Sequence, residues 1–584
     1  MNNTKSLIVK LLIPEYKADK EAVAEDDDNG YKMRQGKSKQ GNQQYERKGK
    51  DIGYMQLFGR TMDTYQSVKI DVMDFKHHCY LKLPQDFDKR LLSDFDRLLN
   101  NKLQWARKLV HAREFCEMQP GRPFQFRIKF KLYKLTFLTE KHLRNARNLL
   151  SKESEFVLNH GAVRFPVTIF ESDLKASERW CSKYLNPVGL VRCTRYEEVM
   201  PDPDKCGTEL HIRTRIRDLQ LIDKDGNEVK DADKYDDLSM LPYKIMWYDI
   251  ESTTLDPHAS DADVLMISTL VYDSGKQTLE CRGFTWKPPL NADGTIRRVP
   301  GVQTVACKDT RDMLCKFYQY RREVDPDAQS GHNSTGFDDF YVFLEAQKLG
   351  VPKYDILGRD GTPSKIREVQ SAKRTVNLID MPGRLHIDTM DFLRAYGDPM
   401  KSYDLRACGK KLLDNTWAEK KEKEKGKLSP FDALLDQMFA AISTTMLDNN
   451  KGEVDHLDIA RFFHGTNSDD QYTLFVYGIK DTILTARIFM QQLMFERTAT
   501  MSSIYNVPMS VILGSGAQDK VIGNWFRDMG KKNLVINKYL DSSQDPFRDL
   551  WEVFDYAGGY AVSYTHLRAH ETKANLVCRL LLEK

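Results

Sequence analysis

No Cys-x-x-Cys pair occurs among the ten cysteines of this 584-residue sequence, so neither a zinc ribbon nor a disulfide framework is indicated. The cysteines read as reduced core residues of an intracellular protein. No stretch approaches the ~20 consecutive apolar residues of a membrane span, and none is expected. The apolar run in "MNNTKSLIVKLLIPEYK" lacks a small-residue cleavage site and reads as a first β-strand rather than a signal peptide. Charge of one sign is also lacking, with 88 basic against 84 acidic residues and a net charge of +4. That balance neither requires nor excludes nucleic acid, because a basic groove can sit inside a near-neutral total. No internal repeat is visible. What remains is an ordinary soluble composition, 41% hydrophobic and 29% charged, in a chain long enough for about three or four domains.

Residues 17–50 break the pattern. An acidic block, "EAVAEDDDNG", precedes "YKMRQGKSKQGNQQYERKGK", which has seven basic residues, one acid and almost nothing apolar. Such a segment cannot bury enough surface to offset its ordering entropy and is expected to be a mobile insertion. Residues 51–84 give short alternating runs, hence a β-rich module. "DFDKRLLSDFDRLLNNKLQWARKLVHA" reads as helix, and "FQFRIKFKLYKLTF" (124–137) as a strand with one wet, basic face. A mixed α+β domain is placed over 1–240. A second unit opens at "LPYKIMWYDIE", with "LMISTLVYDS" as its paired strand. The charge run at 417–430, "WAEKKEKEKGKLSP", reads as an exposed helix or an excursion from that unit.

Three places carry chemistry. In "IMWYDIESTT" an apolar strand ends in Asp249 and Glu251, which alternation puts on one face. In "SGHNSTGFDDFYVFLEAQKLG" a loop runs into a helix with Phe337, Tyr341 and Leu344 at helical spacing, stopped by Gly350. Asp338 falls in its first turn, where the helix dipole favours an anion. In "YTLFVYGIKDTILTARIFMQQLMF" Leu474, Tyr477, Leu484 and Ile488 form an apolar stripe whose odd member is Asp481. Ile479, Ile483, Ala486, Met490 and Leu493 make a second apolar face, so the helix is buried on more than one side. An Asp in such a stripe needs a partner. Four acids with a Tyr beside the last suit two divalent cations, Mg²⁺ or Mn²⁺, which prefer carboxylate oxygen. A network in which Lys or Arg neutralises the acids fits the spacing equally well.

"DIE" (249–251), "NSTGFD" (333–338) and "YGIKD" (477–481) together resemble the three exonuclease motifs of family B DNA polymerases, of the eukaryotic replicative or large DNA virus type. Their acids stand 89 and 143 residues apart, in the family's order. "MQLFGRTMDTYQSVKIDVMDF" resembles the family's N-terminal domain, and "PGRLHIDTMDFLRAY" the stretch between its second and third motifs. "SIYNVPMSVILGSGAQDKVIGNWF" resembles the passage into the palm, and "YAGGY" (556–560) the Tyr-x-Gly-Gly motif. The resemblance implies an RNase H-like α/β exonuclease of the DEDDy type with a mixed sheet over 241–500. A β-rich α+β N-terminal domain would precede it, and a palm connection and stub over 501–562 would follow.

The resemblance further implies two metals on Asp249, Glu251, Asp338 and Asp481, with Tyr477 positioning the nucleophilic water. Thr253, Thr254, Asn333, Phe337, Tyr556, Gly558 and Gly559 would contact DNA. The implied reaction is 3′→5′ hydrolysis of mismatched DNA ends in replication. The implied partners are primer-template or a single-stranded 3′ end, and a sliding clamp or other replication factors. The setting would be the nucleus, or a host nucleus or cytoplasmic replication site if viral. The palm motifs Asp-x-x-Ser-Leu-Tyr-Pro-Ser and Tyr-Gly-Asp-Thr-Asp-Ser do not occur, so a truncated polymerase without synthesis is expected. "SYTHLRAHETKANLVCRLLLEK" (563–584) resembles a translated sequencing adapter, and its His566, His570 and Cys578 are not taken as a metal site. A non-catalytic primer-template-binding remnant and a free-standing nuclease of the same four-acid type, acting on RNA, are the alternatives.

Overall fold

The computed structural model describes residues 6–22, 49–120, 129–158, 163–200, 207–229, 242–370, 375–414, 416–424, 427–449, 454–514, 517–532 and 534–535. By packing, the chain divides into two compact units. One takes Met1–Lys17, Tyr54–Asp74 and Leu185–Gly514; the other takes Ala18–Gly53, Phe75–Tyr184 and Ser515–Lys584.

The centre of the first unit is a six-stranded mixed sheet. Its elements run β1 (Lys244–Ser252), β2 (Val264–Asp273), β3 (Thr278–Thr285), β4 (Gln303–Ala306), α1 (Thr310–Val324), β5 (Ala328–Ser330), α2 (Asp338–Lys348) and β6 (Leu385–His386). After them come α3 (Thr389–Tyr396), α4 (Trp417–Lys423), α5 (His456–His464) and α6 (Ser468–Gln491). The sheet order is β4-β3-β2-β1-β5-β6. Strands β1 to β3 are antiparallel neighbours, whereas β4, β5 and β6 join in parallel. This is the mixed sheet of an RNase H-like α/β fold.

Alternation along β1 divides its side chains between two cores. Ile245 and Trp247 join Ile479, Ile483 and Phe489 of α6, with the Trp247 and Phe489 rings 5.4 Å apart. Met246, Tyr248 and Ile250 join Phe317 of α1 and Tyr341 and Val342 of α2. Each such large side chain contributes about 1.5–3 kcal/mol on burial. The sheet is therefore covered on both faces, and the near-continuous apolar character of "IMWY" follows.

Three helical expectations change in detail. The helix expected over 472–495 spans Ser468–Gln491; Leu493, at φ +49°, is an exposed turn residue before a further helix, Met494–Tyr505. The charge run at 417 does form a helix, α4, but it is docked along one face. Trp417 and Lys420 are buried, Trp417 Nε1 donates to Asp436 at 2.7 Å, and the Lys420 ammonium meets Asp432 at 3.1 Å. One Trp in a Lys/Glu run is enough to anchor it. In the second unit, 86–112 keeps an α-helix only over Leu92–Leu103. Single 3₁₀ segments flank it at Lys89–Leu91 and Gln104–Leu109, and a strand begins at Val110.

The second unit is a split β-α-β-β-α-β arrangement. Its strands His77–Leu83, Val110–Pro120, Phe130–Phe137 and Ile169–Phe170 pair antiparallel, and Leu534–Val535 adds a short parallel edge. Helices Leu92–Leu103 and Glu140–Leu150 cover one face through Phe95, Leu99, Leu143 and Leu150. Strands Leu7–Ala22 and Gly49–Thr61 take in residues 17–22 and 49–50 from the flanks of the expected insertion; its centre, 23–48, lies outside the described residues.

Candidate metal centre

Asp249 and Glu251 leave the C-terminal part of β1 on the face shared with Trp247, toward α6. There α6 carries Asp481. One carboxylate oxygen from each of these three residues lies within 4.8 Å of the others, a grouping able to hold a metal ion. Glu251 and Asp481 are buried and Asp249 is partly exposed, so the cluster opens to one side. The donors are all carboxylate oxygen, which fits Mg²⁺ or Mn²⁺ better than softer ions.

The helix can come this close because of Gly478. A Cβ there would stand 3.3 Å from Glu251 Oε1 and 3.2 Å from the Met266 methyl carbon. Ser268 of β2 fixes the approach, its hydroxyl meeting the Gly478 carbonyl at 2.9 Å and the Thr482 hydroxyl at 2.5 Å. A β-bulge sits beside the acids: Glu251 pairs with Met266 but Ser252 with Val264. The skipped residue, Leu265, packs with Tyr477, Ile459 and Phe463. A bulge re-aims a side chain in this way, and it brings β2 and α5 against Tyr477.

Asp338 opens α2, as expected, and lies at the same strand without entering the three-carboxylate group. Its Oδ1 accepts the Ile250 N–H at 3.2 Å, between Asp249 and Glu251. Burial, followed by the charge of Asp339, pushes Asp338 up to about 7, against the lowering effect of that N–H. A neighbouring cation would favour its ionised form.

The remaining expected residues are placed as follows. Asn333 stands in the loop before α2 at φ +67°, and the Phe337 ring packs edge-on to Tyr341 at 5.4 Å. The Thr253 hydroxyl donates to the Asp261 carbonyl at 2.7 Å and accepts the Asp263 N–H at 2.9 Å. The Thr254 hydroxyl donates to the Asp256 carbonyl at 2.9 Å, so both threonines shape the 253–263 loop. Tyr556, Gly558 and Gly559, with 563–584, lie outside the described residues.

Two carboxylates at the site were not singled out in the sequence. Asp388 is buried and accepts the Asn333 N–H (3.2 Å), the Thr335 N–H (3.0 Å) and the Thr335 hydroxyl (3.0 Å) while capping α3. It holds the loop that leads into Asp338. Asp339 is buried beside Asp338 and accepts the Tyr248 hydroxyl, the Gln329 amide at 2.9 Å and the His386 ring at 2.8 Å. Burial pushes Asp339 up, but His386 and the donated hydrogen bonds outweigh it and hold it below the usual carboxylate range. Burial opposes charge on His386 as well, yet Asp339 raises its pKa. The available signals were two acids in sequence at a helix start and the His of "LHID".

Residues 169–408 match the family model for the exonuclease domain of DNA polymerase family B. Over 504 residues the chain is 23% identical to the DNA polymerase delta catalytic subunit of Schizosaccharomyces pombe, covering 82% of this chain and 40% of that protein. Over 316 residues it is 27% identical to the corresponding subunit of Dictyostelium discoideum, covering 52% of this chain and 24% of that one. The chain thus spans less than half the length of these curated relatives. Among solved structures, the family B DNA polymerase of Pyrobaculum calidifontis superposes with a TM-score of 0.53 at 15% identity, covering 90% of this chain and 51% of that one.

Proposed function

We propose that the chain, whose residues 169–408 match the model for the exonuclease domain of DNA polymerase family B, removes mismatched nucleotides from 3′ DNA ends during replication, releasing nucleoside monophosphates. The observation that carries this is the convergence of Asp249, Glu251 and Asp481 from a strand and a helix onto one point. The working domain is 241–500, with 1–240 as N-terminal domain and 501–562 as the connection to a palm. The natural setting is DNA replication in a nucleus or at a viral replication site, with a sliding clamp or other replication factors of the parent polymerase as partners.

Asp249, Glu251, Asp338 and Asp481 would hold two Mg²⁺ or Mn²⁺ ions. Such a pair, when bound, supplies positive charge for the attacking and leaving oxygens of a phosphodiester. The chain's own residues do the rest. Tyr477, one turn before Asp481 and packed by Leu265 and Phe463, holds the attacking water. Asn333 and Phe337 hold the frayed end, and the Thr253–Thr254 loop approaches the terminal nucleotide. Tyr556, Gly558 and Gly559 guide the strand.

The test is a 5′-labelled primer-template with a 3′ mismatch, incubated with Mg²⁺ and dNTPs or with EDTA, beside the Asp249→Ala protein. Stepwise shortening that needs Mg²⁺ is expected, without extension. Asp249→Ala should lose about 4 kcal/mol of transition-state stabilisation, roughly a thousandfold in rate. Cleavage at the wild-type rate in that variant would sink the assignment.

A further inference from the structure

Asp339 touches three strands of the sheet at once. Its Oδ1 takes the Tyr248 hydroxyl from β1 and the Gln329 amide from β5, and its Oδ2 takes His386 from β6. Gln329 is itself held by the Arg321 guanidinium at 2.7 Å, and His386 is met by the Ser334 hydroxyl at 3.1 Å. Every one of these five side chains is buried or largely so. The neighbouring residue, Asp338, takes the Ile250 N–H.

The first turn of α2 is therefore tied to β1 at two points, Tyr248 and Ile250, which flank Asp249. A helix start held at one point can still pivot. Held on both sides of Asp249, it has one distance and one angle to the strand. Buried hydrogen bonds of this kind are costly to break, and partners of this kind orient metal-binding carboxylates.

We propose that Asp339, through Tyr248, Gln329 and His386, is a positioning residue that holds Asp338 at the strand carrying Asp249 and Glu251, within reach of a cation bound there, before any cation arrives. This rests on the reading of those acids as the metal centre. Asp339 does not touch the reacting atoms; its effect reaches them through the placement of Asp338.

The experiment is calorimetric titration of Mn²⁺ alone into the full chain, without DNA, for wild type, Asp339→Asn, Tyr248→Phe and Asp249→Asn. Melting in metal-free buffer is measured beside it, and cleavage is followed as a function of Mn²⁺ concentration. Asp339→Asn and Tyr248→Phe should each weaken Mn²⁺ binding about tenfold while still melting cooperatively, below wild type because buried hydrogen bonds are lost, and excess Mn²⁺ should restore their cleavage. Asp249→Asn should lose binding and not be restored. Should Asp339→Asn fail to fold, Tyr248→Phe, which removes one hydroxyl, carries the test. Wild-type Mn²⁺ affinity in Tyr248→Phe and in any folded Asp339→Asn, with binding lost in Asp249→Asn, would overturn the positioning role alone. Undiminished binding in Asp249→Asn would instead overturn the metal-centre reading and this proposal with it.

Discussion

Strand β1 meets buried charge at both of its ends, and the two ends handle it differently. At the Lys244 end, acids and bases are interleaved. Arg60 reaches Asp327 at 2.5 Å, Arg359 reaches Asp325 at 2.7 Å and Asp327 at 2.8 Å, and Arg384 reaches Asp325 at 2.7 Å. The Lys244 N–H completes the set, donating to Asp327 at 2.8 Å. At the other end, Asp249, Glu251 and Asp481 crowd their carboxylates around one point, with Asp338 beside them. Both ends use aspartate in a buried setting. One arrangement is a finished structural joint that ties segments 267 residues apart in sequence; the other is suited to receive a cation. An ion-paired network sits at the Lys244 end of this nine-residue strand, around Asp325 and Asp327; the spacing set that reading against a cation site for other acids, Asp249, Glu251, Asp338 and Asp481.

The largest expected difference between the ends is in folding stability. Asp327→Ala takes the buried carboxylate from Arg60 and leaves Arg359 with Asp325 alone, and should cost about 3–5 kcal/mol in denaturant unfolding. Asp249→Asn should show no comparable loss. A cost for Asp249→Asn as large as that for Asp327→Ala would erase the distinction. Next in size is the response to metal. At a Mg²⁺ concentration one hundred times the dissociation constant, wild type should gain about 2.7 kcal/mol over its EDTA value. Asp249→Asn should not, whereas a partial variant of the other end, Arg384→Lys, should gain as wild type does.

The last difference is one of sign, seen as pH is varied in EDTA. Asp338 is raised to about 7 in the folded chain, above an unfolded value of about 4. Below about 4 it is protonated in both states and makes no difference. Between about 4 and 7 the folded state holds the proton more tightly, so stability falls as pH rises. Asp325 runs the other way. Burial opposes its charge, but Arg359 and Arg384 outweigh burial and hold it below the usual carboxylate range. Its contribution is complete above about 4 and is lost as pH falls further. Relative to wild type, Asp338→Asn should therefore gain stability progressively from pH 4 to 7, and Asp325→Asn should show its full loss throughout that window. Parallel curves for the two variants would remove the contrast.

What could be read from the sequence was whatever depends on short-range periodicity. Alternation put Asp249 and Glu251 together, and helical spacing picked Asp481 out of an apolar stripe, because each needs only a few neighbouring residues. Asp339 and Asp388 escaped for the opposite reason. Their meaning comes from Tyr248, Gln329, His386 and the 333–335 loop, which only the fold brings near. The Arg60–Asp327 joint is the extreme case. Trp417 misled in another way, since the Lys and Glu around it describe the wet face of α4 and hide the dry one. The helix drawn over 86–112 was too long because its composition continues past Leu103 while the backbone tightens into a 3₁₀ segment and then extends.

The bulge at Glu251 and Ser252 has a consequence for how this part of the molecule can change length. Up to Glu251 the two strands count residues in step; beyond it β2 is one residue ahead. The acids thus belong to one phase of the sheet and the Thr253–Thr254 loop to another. Insertions and deletions beyond the bulge change the loop's reach without rotating Asp249 or Glu251 off their face. The site has, in effect, a clutch between its fixed chemistry and the part that can be re-gauged to the strand it grips.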